Sequence, residues 1–315
     1  MITAKKIGVL AGGISAEREV SLKSGNAIYK ALLGRGYNAV FIDAAEDLHA
    51  LITSQKVEVV FIALHGGQGE NGSVQGFLEV MGIPYTGSGV LASAVAMDKE
   101  TSKKIFLYHG IPVPLFKIIH RDELLGTIET VAAGCLIGGP MIDFGMPWVI
   151  KPATEGSSIG VHIVKNGDEL GPALDDAFKY GDTIIVEQYV KGKEVQIGIL
   201  GQKALGGVEV RTSLEFYSYE AKYIPGHTNY VLPPDVSEED YEMLKTTALR
   251  AHNALGCAGA TRVDLILDAG GKAYLLEINT IPGMTETSLL PKIAKLAGLE
   301  FADLIEEILK SSLEH

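Results

Sequence analysis

Short apolar runs alternate with stretches of helical spacing along the first hundred residues. Residues 6–11 form an apolar run that ends at Gly12–Gly13, the pattern of a strand entering a turn. Residues 17–33 follow at helical spacing, with Val20, Ala27 and Ala31 on one side and Leu22 and Ile28 beside them. Residues 38–42 and 57–64 read as two more strands, the second nearly all apolar and so buried on both faces. This β-α-β-α-β order predicts a parallel sheet with helices on both sides. Ligands of such sheets sit at the carboxyl ends of the strands. Gly12-Gly13-Ile14-Ser15 and His65-Gly66-Gly67 lie at two of these ends.

Further along, residues 80–97 carry no charge over a length that could span a bilayer. Gly82, Pro84, Gly87 and Gly89 break the stretch, so strand, loop and helix are predicted instead. A helix is predicted over 98–108 with Asp98 as its N-cap. Strands over 147–152 and 160–164 flank a Gly/Ser loop, and a helix follows over 168–179. Residues 126–145 carry no readable pattern. From 182 the chain is β-rich, with strands over 183–186, 194–200 and 204–210. Residues 212–236 are long and irregular, which fits a lid more than a packed connection. A helix over 238–255 precedes strands over 260–267 and 272–278, joined by the hairpin signal Asp268-Ala269-Gly270-Gly271. Helices close the chain. Three regions are expected, 1–96, 97–181 and 182–312, while 313–315 resembles an expression-vector remnant.

Composition narrows this picture. The 315 residues suggest two or three domains. Glycine, at 37 residues, is roughly 12% of the chain against a usual ~7%, which points to many tight turns and close backbone approaches. The formal charge of -12 disfavours a nucleic-acid partner, so any anion site has to be built locally. The two cysteines, Cys135 and Cys257, are far apart, which argues against a disulfide or zinc framework and for a reducing, cytoplasmic setting. The apolar run after Lys5–Lys6 is too short for a signal peptide. No membrane association is expected.

Three segments carry chemistry. In the final hairpin, period two puts Arg262 and Asp264 on one strand face and Glu277 and Asn279 on another. If those faces pair, hard oxygen ligands suited to Mg²⁺ converge beside a guanidinium. The alternative is a solvated polar face with Arg262 paired to Asp264 or Glu277. Lys151-Pro152-Ala153-Thr154-Glu155-Gly156-Ser157-Ser158-Ile159-Gly160 runs from a strand into small residues whose N–H groups could line an anion, with Lys151 as a point charge. It lacks the Walker Gly-Lys-Ser/Thr. The alternative is an ordinary hairpin loop. Gly12-Gly13-Ile14-Ser15-Ala16-Glu17 competes as a dinucleotide fingerprint with Asp43 at the next strand end, but the glycine spacing is wrong. Helix capping by Ser15 is the other reading, and Glu17 could instead meet a cationic ligand group. His65 is by default a structural histidine, and both cysteines read as inert thiols.

The segments occur together in one order. They are Gly-Gly-x-Ser-Ala-Glu-Arg-Glu-Val-Ser, Leu-His-Gly, Met-Asp-Lys, Lys-Pro…Glu-Gly-Ser-Ser-Ile-Gly, Glu-Gln-Tyr-Val, Glu-Ala-Lys-Tyr, Arg-Val-Asp and Glu-Ile-Asn-Thr-Ile-Pro-Gly-Met-Thr. Over residues 6–309 the chain resembles the D-alanine–D-alanine ligases of the ATP-grasp superfamily. The resemblance implies an α/β fold, α+β overall. An N-terminal parallel α/β domain would stand beside central and C-terminal α+β domains that clasp ATP. It implies joining of two D-alanines through an acyl phosphate, for peptidoglycan precursor synthesis. ATP would meet Lys99, Lys151, Glu155, Gly156, Ser158 and Lys222, with backbone groups of Glu187, Gln188, Tyr189 and Val190 reading the base and Glu194 on the ribose. Asp264, Glu277 and Asn279 would hold two Mg²⁺, with Mn²⁺ a substitute. Glu17 would bind the first D-alanine's ammonium through a Glu17–Ser157–Tyr223 link. His65, Ser288 and Leu289 would line the substrate pocket, and Arg262 with the Gly283 N–H would stabilise an oxyanion. A homodimer is expected. Gln196 departs from the small or β-branched strand residue expected there, which the sequence reading treats as packing only.

Overall fold

The computed structural model describes residues 2–124, 142–213, 226–285 and 287–311. Lys222, Tyr223, Cys135, residues 313–315 and the middle of the expected lid lie outside them.

Strands β1 (Lys6–Ala11), β2 (Asn38–Asp43) and β3 (Val59–Ile62) form a parallel sheet in the order β2-β1-β3. β3 is shorter than the expected 57–64, but its four residues are all buried. Period two divides β1 between two cores. Ile7, Val9 and Ala11 pack with Ile28 and Leu32 of helix Arg18–Gly34. Leu10 packs on the other side with Ile52 and Leu78. Helices therefore cover both faces, as an apolar parallel sheet requires. The expected strand after residue 80 is reduced to one bridge, Val60 to Tyr85, because helix Ser73–Met81 occupies the start of that stretch and helix Val90–Met97 its end.

Next come helix Lys99–Tyr108, β4 (Phe116–His120), β5 (Trp148–Pro152), β6 (His162–Val164) and β7 (Thr183–Gln188). Asp98 caps the helix by accepting from the Thr101 N–H. The four strands make an antiparallel sheet in the order β4-β7-β5-β6. β7, assigned by sequence to the third region, is thus a central strand of the second sheet. Trp148, Ile150, Val164, Ile184 and Val186 pack against helix Gly167–Ala177. The alternate residues Val149, Lys151, Ile163 and Glu187 face the other way, into a cleft.

The third sheet contains β8 (Gly192–Leu200), β9 (Lys203–Thr212), β10 (Thr228–Val231), β11 (Ala260–Asp268) and β12 (Ala273–Asn279) in the order β10-β9-β8-β11-β12. β10 lies within the stretch read as irregular. Val195, Ile197, Val263, Leu265 and Leu275 pack on Leu244, Ala248 and Ala251 of helix Glu238–Ala254, together with Phe106 and Ile111. Helix Lys99–Tyr108 therefore contributes its apolar face to the third sheet. Helices Leu289–Leu296 and Phe301–Ser311 return to the first core, adding Leu290, Ile293 and Ile305 to the apolar cluster that contains Ile7 and Val9. None of the described helices is long and apolar enough to cross a membrane.

Candidate active site

The hairpin pairs as its alternation predicts. Arg262 stands opposite Asn279 and Asp264 opposite Glu277. A bulge follows at Asp264/Leu265, so Leu276 is the extra residue. The polar alternative is present too: Arg262 Nε and Nη2 donate to Asp264 Oδ1 and Oδ2 at 2.8 and 2.9 Å. Glu277 Oε2 is 3.3 Å from Lys99 Nζ, and Asn279 Oδ1 accepts from the Ile281 N–H at 3.0 Å. No group of three or more His, Cys, Asp or Glu side chains able to hold a metal occurs among the described residues. The donor set still fits Mg²⁺. It supplies two carboxylates and an amide oxygen in facing register, and cations already stand at the carboxylates where a metal's charge would stand.

Two cavities meet along this hairpin. The larger, about 860 Å³, is lined by Glu17, His65, Glu70, Gly156, Ser157, Arg262, Asn279, Gly283, Ser288 and Leu289. The smaller, about 150 Å³, is lined by Lys151, Glu155, Ser158, Glu187, Gln188, Tyr189, Val190, Glu194 and Asp264. Its apolar walls are Val149 and Ile163 of the second sheet and Ile266 and Leu276 of the third. That is a slot for a flat apolar ring with polar groups at its rim. Lys99 and Glu277 line both cavities. Lys99 Nζ also donates to the Glu155 carbonyl at 2.6 Å, tying the Gly/Ser loop to the hairpin.

The Gly/Ser loop is held by an unusual backbone. Ser157 and Ser158 have φ of +50° and +59°, a region that costs a residue bearing Cβ roughly 1–2 kcal/mol. Ser157 Oγ donates to Glu17 Oε1 at 2.5 Å. This bond closes the loop over the end of the first sheet, so the hairpin-loop reading gives way to a structured flap. Glu155 is raised above the usual carboxylate range, first by burial and also by the nearby Glu17.

Glu17 sits just before helix Arg18–Gly34, at the carboxyl end of β1. Ser15 does not cap the helix as expected. It accepts from the Glu17 N–H and donates to the His65 carbonyl, binding the two strand-end loops together. A Cβ on Gly66, which has φ +72°, would come within 2.8 Å of Glu17 Oε2, so only glycine leaves room for the carboxylate. Asp43 binds Arg18 through both oxygens at 2.8 and 2.6 Å, and that pairing holds its carboxyl near 2. It is committed to the Gly12–Gly13 turn, which removes the dinucleotide reading.

His65 is buried, and its Nε2 lies 3.0 Å from Ser24 Oγ. Ser24 Oγ also accepts from the Met284 N–H, which joins His65 to the Gly283–Ser288 loop. Ser288 Oγ accepts from the Thr285 N–H and lies 3.0 Å from where a Cβ on Gly283 would stand. Sequence reasoning missed Ser24 and Glu70. Ser24 looks like an ordinary small residue on the packed helix face, so only its spatial partners mark it.

The Glu187–Val190 segment lines the smaller cavity, and two of its backbone donors are engaged within the protein. The Gln188 N–H donates to the Leu115 carbonyl and the Tyr189 N–H to the Pro147 carbonyl, so these two donors are not the ones that read a base. The Glu187 side chain turns inward to Lys103 and Lys151, at 2.6 and 2.9 Å. Gln196 is fully buried opposite Asp264, and its Nε2 donates to Glu194 Oε1 at 3.3 Å. It supports Glu194, which lines the smaller cavity, so it makes a polar contact as well as packing. Cys257 is a buried thiol that burial pushes up to about 11, in keeping with an inert cysteine.

Residues 43–88 match the family model described as D-ala D-ala ligase N-terminus, and residues 105–310 match D-ala D-ala ligase C-terminus. The D-alanine–D-alanine ligase of Geobacter sulfurreducens is 50% identical over 308 residues, covering 98% of this chain and 94% of the relative. That of Geotalea uraniireducens is 48% identical, covering 99% and 96%. The Bacillus anthracis D-alanine–D-alanine ligase complexed with ATP superposes with a TM-score of 0.83 at 34% identity, covering 99% of this chain and 98% of that one.

Proposed function

The chain belongs to the D-alanine–D-alanine ligase family, and from that premise we infer that it catalyses the ATP-dependent joining of two D-alanines for peptidoglycan precursor synthesis. The observation that carries this reading is the meeting of two cavities at Lys99 and Glu277. A flat slot for a nucleotide opens there onto a polar chamber for two amino acids.

A carboxylate is a poor electrophile because its oxygen is a poor leaving group. Transfer of the γ-phosphoryl group to the first D-alanine gives an acyl phosphate, which expels phosphate when the second D-alanine's amine attacks. Phosphoryl transfer is mostly positioning and charge neutralisation. In this reading Lys99 and Lys151 meet the phosphates, Glu155, Gly156 and Ser158 cover them, and Glu194 takes the ribose. Asp264, Glu277 and Asn279 would hold two Mg²⁺, with Mn²⁺ a substitute, and the ions would neutralise phosphate charge. Glu17, fixed by Ser157, binds the first ammonium. Arg262 and the Gly283 N–H face the developing oxyanion. Ser288 helps hold the second D-alanine's carboxylate, and His65 and Leu289 line the substrate pocket. Lys222 and Tyr223 would complete the site from the lid.

The proposal includes a homodimer in the cytoplasm, and the regions 1–96, 97–181 and 182–312 as domains, with the second boundary moved past Gln188 to keep β7 with its sheet. The test is ADP release with ATP, Mg²⁺ and D-alanine as the sole amino acid, against a D-lactate control. D-Alanine-dependent ADP release is expected, and its absence from intact protein would overturn the reading. Release that needs D-lactate as second substrate would favour a ligase of mixed specificity.

A further inference from the structure

A buried charge cluster lies behind the smaller cavity, and the proposed reaction uses only part of it. Lys103, on helix Lys99–Tyr108, is 0% exposed. Its Nζ stands 2.6 Å from Glu187 Oε1, while Lys151 Nζ stands 2.9 Å from Glu187 Oε2. Glu187 is 2% exposed and Lys151 8%. One carboxylate is therefore bridged by two ammonium groups, one at each oxygen. The Lys103 contact is a close ion pair without hydrogen-bond alignment, and the Phe116 ring lies 5.5 Å from the same Nζ. Glu187 and Lys151 line the cavity, whereas Lys103 stands behind them.

Burying an ion pair is a poor way to gain stability, since apolar residues of like volume usually do as well or better. The charge of Lys103 therefore calls for another reason. Glu187 paired with Lys151 alone would be neutral, and both of its oxygens could close on that one ammonium. With Lys103 present the cluster carries two positive charges and one negative. The opposite wall of the slot holds Glu194, Asp264 and Glu277, so the direction of the Lys151 ammonium decides how well this wall receives a polyanion. Burial would raise Glu187, yet Lys103 and Lys151 hold it below the usual carboxylate range.

We propose that Lys103 is a positioning residue for nucleotide binding. It occupies one oxygen of Glu187, fixes that carboxylate, and so holds the Lys151 ammonium at the cavity wall with protons left for the ligand. The proposal rests on the reading of the smaller cavity as the nucleotide slot.

The test is calorimetric titration of ADP with Mg²⁺ into the full chain, alongside KM for each substrate. Lys103→Met is expected to weaken ADP binding on the order of tenfold or more, with KM for D-alanine within about twofold of the parent, as expected for a group outside the amino-acid chamber. In a Glu187→Gln background the same change should cost nothing further, because Lys103 acts only through that carboxylate. Parent-like ADP binding by Lys103→Met, or an equal loss in both backgrounds, would overturn the proposal. If Lys103→Met does not fold, Lys103→Gln, which keeps a donor for that oxygen of Glu187 without the charge, is expected to bind ADP within about threefold of the parent, and a loss of tenfold or more would overturn the proposal. ADP binding by the parent without D-alanine-dependent ADP release would count against the ligase reading and leave the Lys103 comparison intact.

Discussion

Ser157 Oγ donates a 2.5 Å hydrogen bond to Glu17 Oε1, joining positions 140 residues apart in the chain. The bond links the start of the first long helix to a loop of the second sheet, across the larger cavity. Glu17 thereby gains a fixed direction, and the loop gains an anchor for its left-handed backbone at Ser157 and Ser158.

Ser157→Ala should raise KM for D-alanine about tenfold, since a hydrogen bond to a charged group contributes roughly 1.5–3 kcal/mol. Substrate titration in the ADP-release assay reads this directly. An unchanged KM would mean that the bond does not orient Glu17 in the working enzyme.

Glu277→Gln should lower turnover on the order of a hundredfold while thermal unfolding stays close to the parent's. Glu277 is partly exposed, and its contact with Lys99 is a long 3.3 Å, so its carboxylate contributes more to the ligands than to the fold. A near-normal rate would exclude the hairpin as the metal site. Addition of EDTA should abolish turnover with the circular dichroism spectrum unchanged.

Gly12→Ala should destabilise the protein by about 1–3 kcal/mol. A Cβ there would stand 2.3 Å from Asp43 Oδ1 and 2.7 Å from Arg18 Nη1, on a backbone with φ +77°. Urea unfolding measures the loss. Stability equal to the parent's would mean that the Arg18–Asp43 pair moves aside at no cost.

His252 gives a pH signature. It is fully buried, its Nδ1 lies 2.8 Å from Thr261 Oγ1, and burial lowers it from 6.5 to about 4. The unfolded chain takes up a proton below 6.5 that the folded chain refuses until about 4. Stability from this residue is therefore full above pH 6.5, falls as pH drops through that window, and is gone below it, a loss of roughly 3 kcal/mol. Urea unfolding at pH 7.5 and pH 4.5, for the parent and for His252→Gln, isolates this part. The variant should be less stable at neutral pH and show the shallower dependence. Equal slopes would remove His252 as the source.

The local elements and the chemical make-up of the site are legible in the linear order of residues. Apolar alternation and helical spacing placed β1, helix Arg18–Gly34, the Asp98 cap and the β11–β12 hairpin within a residue or two. Each depends on near neighbours in the chain, which a linear pattern records. Period two also foretold the shared face of Arg262, Asp264, Glu277 and Asn279, because strand geometry fixes side-chain direction.

Which segments meet depends on long-range packing. That helix Lys99–Tyr108 packs on the third sheet, that β7 belongs to the second, and that Ser24 joins His65 to Met284 are facts of long-range packing. Lys103 looks like any charged helix residue until folding buries it against Glu187. The physical reason is the same in each case. Backbone periodicity sets where a side chain points, but burial and the partner it meets depend on chain brought in from far away.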